Sequence, residues 1–275
     1  MNKQFSIPSL AFLALILLAQ FSCSDDTDPT KNEPSLAVVE DEFKINAAFE
    51  DLDFLTLDVL QRSGLGARTQ ASADLCANAT VTHNENTRKI TVDFGTGCTS
   101  PNGVIRKGKI LLSYTGSNFL FPGTSIVTTF EGYEVNGLKI QGIRTITNAG
   151  INLLTSRVTL NVKIENGLIT WPDNSKVTYN STQVRQATLG SAGYDVSVTG
   201  TASGKSRGGV DYTAAVIEPL IIKEVCARTG VFIPSSGVLA FTYQNFTVTA
   251  NYGIGTCDKV VEITYPGGSK EITLD

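Results

Sequence analysis

Arg157-Val158-Thr159-Leu160-Asn161-Val162-Lys163-Ile164-Glu165 decides the fold class. In an extended chain Val158, Leu160, Val162 and Ile164 fall on one side, and Thr159, Asn161, Lys163 and Glu165 on the other. A period of two with one apolar and one polar side is the mark of an antiparallel strand with one dry face. The same alternation recurs upstream, where Ile90, Val92 and Phe94 interleave with Lys89, Thr91 and Asp93, and downstream at Tyr194, Val196 and Val198. Turn residues stand between such runs: Asn136-Gly137, Asn166-Gly167, Asp173-Asn174 and Gly267-Gly268. Spacing of this kind predicts about eleven to thirteen strands. The expected fold is all-β: a large antiparallel meander over 76–275, curled into a sandwich or an open barrel or clam. Gly108, Gly116, Gly132, Gly142 and Gly200 are the candidate bends.

Ahead of the strands the period changes. Across 36–66, Val39, Phe43, Ala47, Phe49, Leu52, Leu55, Val59 and Leu60 lie near helical spacing, and Gly64 and Gly66 stand where a helix would stop. This predicts a short helical segment, as one helix or two, packed on an end of the β domain and covering a sheet edge. Three stretches share a Thr, an aromatic and a Val at fixed offsets: Thr129 to Val135, Thr178 to Val184 and Thr242 to Val248. They suggest an internal repeat, although their unequal spacing rules out a regular solenoid.

The amino end has a different character. Lys3 precedes an unbroken apolar run, Leu10 to Ala19, and Ser22-Cys23 follows. The run is too short to cross a bilayer, which takes roughly 20 residues, and it fits the core of a signal peptide over 1–22. Residues 23–35 are acidic, polar and proline-containing, and read as a flexible tether. Removing Lys3 with the first 22 residues leaves 21 Lys+Arg against 26 Asp+Glu, a net charge of −5. That balance, with no basic run, lacks the electrostatic footprint of a nucleic-acid binder.

Four cysteines remain beyond Cys23: Cys76, Cys98, Cys226 and Cys257. An even number in an exported chain reads as two disulfides, with three connectivities formally open. Cys76–Cys98 and Cys226–Cys257 are favoured, because the first pair flanks an expected hairpin turning at Asn84 to Thr87 and a hairpin brings its ends together. No CxxC is present and His83 is the only histidine, so no metal site or other cofactor is expected.

Ser22-Cys23 resembles a lipobox, the site at which a cysteine receives a lipid. Ser24-Asp25-Asp26-Thr27-Asp28 resembles the acidic tract after that cysteine in surface lipoproteins of Bacteroidota. The carboxyl end, Asn251-Tyr252-Gly253-Ile254-Gly255-Thr256-Cys257-Asp258, is similar to the YGxGxCD tails of uncharacterised lipoproteins of that group. Asp93 to Cys98, followed by Arg106 to Ile110, looks like their corresponding early feature. The resemblance implies lipidation at Cys23, an outer-membrane address at the cell surface and a shared exported β fold. It implies no activity.

For chemistry the sequence offers little. His83 lies beside Asn84 and Glu85, away from any nucleophile motif, so no catalytic residue is assigned. A glycan-active enzyme would need two carboxylates drawn together across a cleft. Asp93, Glu131, Glu165, Asp195, Asp211, Glu218 and Glu262 mostly take the outward phase of strands. Trp171, the only tryptophan, and Tyr133, Tyr179 and Tyr243 are the candidates for stacking on a sugar, with core packing the competing reading. The expected function is therefore non-enzymatic: a lipid-anchored envelope protein, binding or structural, with a glycan or a lipid as ligand. A carrier of lipid or glycolipid and a carboxylate-based enzyme are the alternatives.

Overall fold

A computed structural model describes residues 35–66, 75–190 and 193–274. Cys23, the apolar run and the tether lie outside the described residues. From Glu33 to Asp275 the chain forms one compact unit.

The alternating segments become a single antiparallel meander. Its strands are β1 (Thr80–Asn84), β2 (Lys89–Asp93), the two-residue β3 (Cys98–Thr99), β4 (Ile105–Tyr114), β5 (Ser125–Val135), β6 (Leu138–Asn152) and β7 (Arg157–Thr170). They continue as β8 (Lys176–Gly190), β9 (Gly193–Lys205), β10 (Asp211–Lys223), β11 (Ser236–Tyr243), β12 (Phe246–Ile254), β13 (Val260–Tyr265) and β14 (Gly268–Thr273). Each strand pairs with its sequence neighbour, except that β2 pairs with β4 and the short β3 also lies against β4. The sheet is one layer of 14 strands and is not closed. β3 is too short for an alternation pattern to reveal, which takes the count above the expected range.

The helical segment is one helix, α1 (Ala37–Arg62). It does not cap an end or an edge of the sheet. Phe43 packs on Phe241 of β11 and Tyr252 of β12, while Asp51 pairs with Arg106 of β4. In a flat sheet, at about 4.8 Å per strand, β4 and β12 would stand about 38 Å apart. Phe43 and Asp51 are separated by only about 12 Å along a helix axis. One helix reaches both strands because the sheet curls around it. Between Lys44 and Leu57 no residue of α1 is exposed. Val39, Phe43, Ile45, Phe49, Leu52 and Leu60 cover about half of the circumference of α1, and the buried carboxylates Asp51 and Asp58 lie on the other side.

The curl follows from a row of irregularities. Register shifts fall between Lys107 and Lys109 on the β4–β5 ladder, Thr128 and Glu134 on β5–β6, Gln141 and Ile143 on β6–β7, and Ile164 and Gly167 on β7–β8. At Gly108 (φ +76°) a Cβ would lie 2.2 Å from the carbonyl oxygen of Gly132, and at Gly200 (φ +139°) 2.2 Å from that of Thr182. Backbones approach there as only glycine permits, and the ladder bends. Of the candidate bends, Gly116 lies instead in the β4–β5 loop.

The disulfides Cys76–Cys98 and Cys226–Cys257 are formed, with Cα separations of 5.9 and 5.1 Å. The hairpin inside the first is β1–β2, with Thr80 opposite Asp93 and Asn84 opposite Lys89. The repeat does not carry through to structure. Thr129 to Val135 and Thr178 to Val184 run within β5 and β8, but Thr242 to Val248 crosses the β11–β12 turn, where Gln244 and Asn245 have positive φ. The shared residues are the common ones of strands, not equivalent positions.

Candidate functional site

The second half of α1 presents Glu50, Asp51 and Asp53 to three arginines that the sheet sends inward from β4, β6 and β8. Arg106 Nε donates to Asp51 Oδ2 at 3.0 Å, and its Nη2 pairs with Asp51 Oδ1. Arg185 holds Glu50 through Nη1 and Nη2 at 2.8 and 2.6 Å, and also Asp53 Oδ2 through Nη1 at 2.6 Å. Arg144 pairs with Asp53, while its Nε and Nη1 make no hydrogen bond within the protein. Three carboxylates thus meet three guanidiniums inside the fold. Burial raises the Glu50 carboxyl above its ordinary value, against the pull of Arg185. Burial lowers Arg144, and the single partner Asp53 does not restore it. Burial also opposes the charge of Arg185, but Glu50 and Asp53 outweigh it and hold the group above its usual value.

Nearer the start of α1, Glu42 accepts a hydrogen bond from Tyr212 at 2.7 Å. Burial pushes its carboxyl up to about 7, with the bonds from Tyr212, Tyr179 and Asn46 opposing.

Beyond the charged ring lies a cavity of about 170 Å³ between the second half of α1 and the inner faces of β5 to β10. Ile146, Val158, Val162, Val196 and Ile222 line its sheet wall, and Phe54 and Leu60 its helix side. Glu50, Asp53 and Arg185 border it from within. Leu57 and Arg228, both well exposed, stand on its outer side, next to the short helix α2 (Glu224–Ala227). The end of α1 is tied to this region by Phe119 N, which donates to Leu65 O at 2.7 Å. An apolar void of about 150 Å³ is enough to take up benzene, whereas pockets for drug-sized ligands run to about 300–1,000 Å³. The space suits one aromatic ring or the end of an alkyl chain.

The residues singled out in the sequence lie elsewhere. Trp171, Tyr133, Tyr179 and Tyr243 are all buried, at 7, 1, 1 and 3 % exposure. Tyr179 stacks on Phe49, Tyr133 on Phe130, Tyr243 donates to Ser35 O, and Arg207 covers the Trp171 ring. Stacking on a sugar needs an open ring face, so the four do not make a platform. His83 is in β1, with Nε2 2.7 Å from the Tyr114 hydroxyl. Asp93, Glu131, Glu165, Asp195, Asp211, Glu218 and Glu262 are exposed or half-buried, as their phase predicts. Among the described residues no group of His, Cys, Asp and Glu is arranged to hold a metal ion.

Pattern reading missed the charged ring and the cavity. One signal was available. Arg144 stands two residues before Ile146 and four before Asn148, in the inward phase of β6, where an arginine needs a buried partner. The chain matches no known family, no curated protein and no solved structure.

Proposed function

We propose that the protein is a non-catalytic binding protein of the cell envelope, held to the outer membrane through a lipid on Cys23, and that it takes a small apolar ligand beside the second half of α1. One observation carries the ligand reading: a mostly apolar cavity of about 170 Å³ lies beside the second half of α1. An apolar space of similar size, about 150 Å³, accepts a guest as large as benzene. The buried carboxylates support a structural rather than a catalytic part, since each is bound to an arginine or a tyrosine of the fold. Two disulfides suit an oxidising compartment, in keeping with export.

The test is calorimetric titration with indole and with straight-chain carboxylic acids of increasing length. Uptake of the short members and its loss in Val158→Trp, which fills the cavity, are the expected results. No heat with any of these probes would overturn the ligand reading. The anchor is tested separately by the mass of the mature amino terminus: an unmodified Cys23, or cleavage elsewhere, would remove it.

A further inference from the structure

The turns β4–β5, β6–β7, β8–β9, β10–β11 and β12–β13 all fall on one rim of the meander, the rim that borders the cavity. Four of them carry apolar side chains turned out to solvent. Leu153 and Leu154 at the β6–β7 turn are 80 and 98 % exposed, and Ile254 at the end of β12 is 96 % exposed. Phe121 in the β4–β5 loop and Val225 in α2 are more than half exposed. The opposite rim shows only Ile105 in this class among the described residues.

These side chains are held outward. Asn152 Oδ1 accepts from the backbone N–H groups of Leu154 at 3.0 Å and Thr155 at 3.2 Å, fixing the turn that displays both leucines. The β4–β5 loop is pinned by Asn148 Nδ2, which donates to Phe119 O at 2.8 Å, so Phe119 is buried while Phe121 is not. The rim is continuous with the cavity. Phe119 and Leu120 line it just ahead of Phe121, and Glu224 and Ala227 line it on either side of Val225. Cations stand near three of the tips, Arg157 three residues after Leu154, Arg228 three after Val225 and Lys259 five after Ile254, whereas none follows Phe121 in its loop and Arg228 is paired with Glu224.

We infer that this rim docks on a lipid surface, with the exposed side chains entering the interface of a bilayer and Arg157 and Lys259 meeting anionic headgroups. Separate apolar tips on fixed turns, with cations beside two of them, suit a fluid surface that closes around every tip. A folded protein partner would need one continuous complementary face instead. The docked rim opens the cavity toward the hydrocarbon layer, where an apolar ligand is dissolved. Docking does not depend on the ligand reading or on the anchor at Cys23.

The compact unit 33–275, which lacks Cys23, is centrifuged with sucrose-loaded vesicles of phosphatidylcholine alone or mixed with phosphatidylglycerol. Binding to both, stronger with phosphatidylglycerol, is expected. Leu153→Ser with Leu154→Ser should weaken the partition at least tenfold. Ile143→Ser with Ile217→Ser, which removes the same kind of side chain from exposed strand positions, should leave it unchanged. Absence of binding, or equal loss in the two double variants, would overturn the inference. So would a dimer in solution that Leu153→Ser with Leu154→Ser dissociates, since the rim would then join two copies of this chain. Vesicle binding without uptake of indole or fatty acid would sink the ligand reading and leave docking standing.

Discussion

The two halves of α1 are surrounded by the same sheet and held in different ways. Around the first half, Phe43 meets Phe241 and Tyr252 edge-on, Val39 and Ile45 are fully buried, and the polar groups Glu42 and Asp41 each have a close partner in Tyr212 and Arg207. Around the second half, Asp51 pairs with Arg106, Glu50 and Asp53 share Arg185, Asp53 also meets Arg144, and an apolar void lies beyond them. Packing dominates around the first half. In the second, ion pairs add to the burial of Leu52, Leu55, Val59 and Leu60 and hold the helix in register without filling the space beside it. Dense packing leaves no room for a ligand, and buried ion pairs support an empty neighbour without collapse.

Breaking the ring should give the largest effect. Arg185→Met leaves Glu50 without its arginine and Asp53 with Arg144 alone, and is expected to cost about 5 kcal/mol in urea unfolding, the upper range for an unpaired buried charge. Arg144→Met, after which Asp53 is still held by Arg185, should cost clearly less. Equal losses would mean that the ring acts as one unit. In the other half, Phe43→Ala should cost about 4 kcal/mol through lost burial and a new void.

Glu42 gives the packed half a pH dependence. Its ordinary value is 4.5 and its value in the fold about 7. Below pH 4.5 both folded and unfolded chains hold the proton, and the contribution is full. Between the two values only the folded chain holds it, so stability falls as pH rises, by about 3 kcal/mol in all. Unfolding at pH 5 and pH 8 should show this slope in the wild type and a flatter one in Glu42→Gln. A slope unchanged in the variant would assign it to other groups. The smallest change concerns the void: Val158→Leu adds one methylene to the cavity wall and should stabilise by about 0.5 kcal/mol while weakening indole uptake.

Much of the sheet was legible. Arg157 to Glu165 shows its inward residues without help from the rest of the chain, because side-chain direction in a strand is fixed by parity alone. The phase slip at Asn166-Gly167 was legible only as a turn signal. It is a bulge inside β7, since the same residues serve a tight turn or a close approach of backbones. The tyrosines illustrate the reverse problem. Tyr133, Tyr179 and Tyr243 all stand in strands, but whether a ring faces solvent or core depends on what covers the sheet, and α1 covers it.

By itself the sequence determined the antiparallel strands and the helical segment ahead of them, because each rests on residues near one another in the chain, and it favoured the two disulfides without excluding the other pairings. Only the tertiary structure decided that the helix lies inside the curl, that Asp51 finds Arg106 and Glu50 finds Arg185 across 55 and 135 residues, and that a cavity remains beside them. Those outcomes depend on how far a row of bulges bends the sheet, a sum over many ladders that no local pattern records.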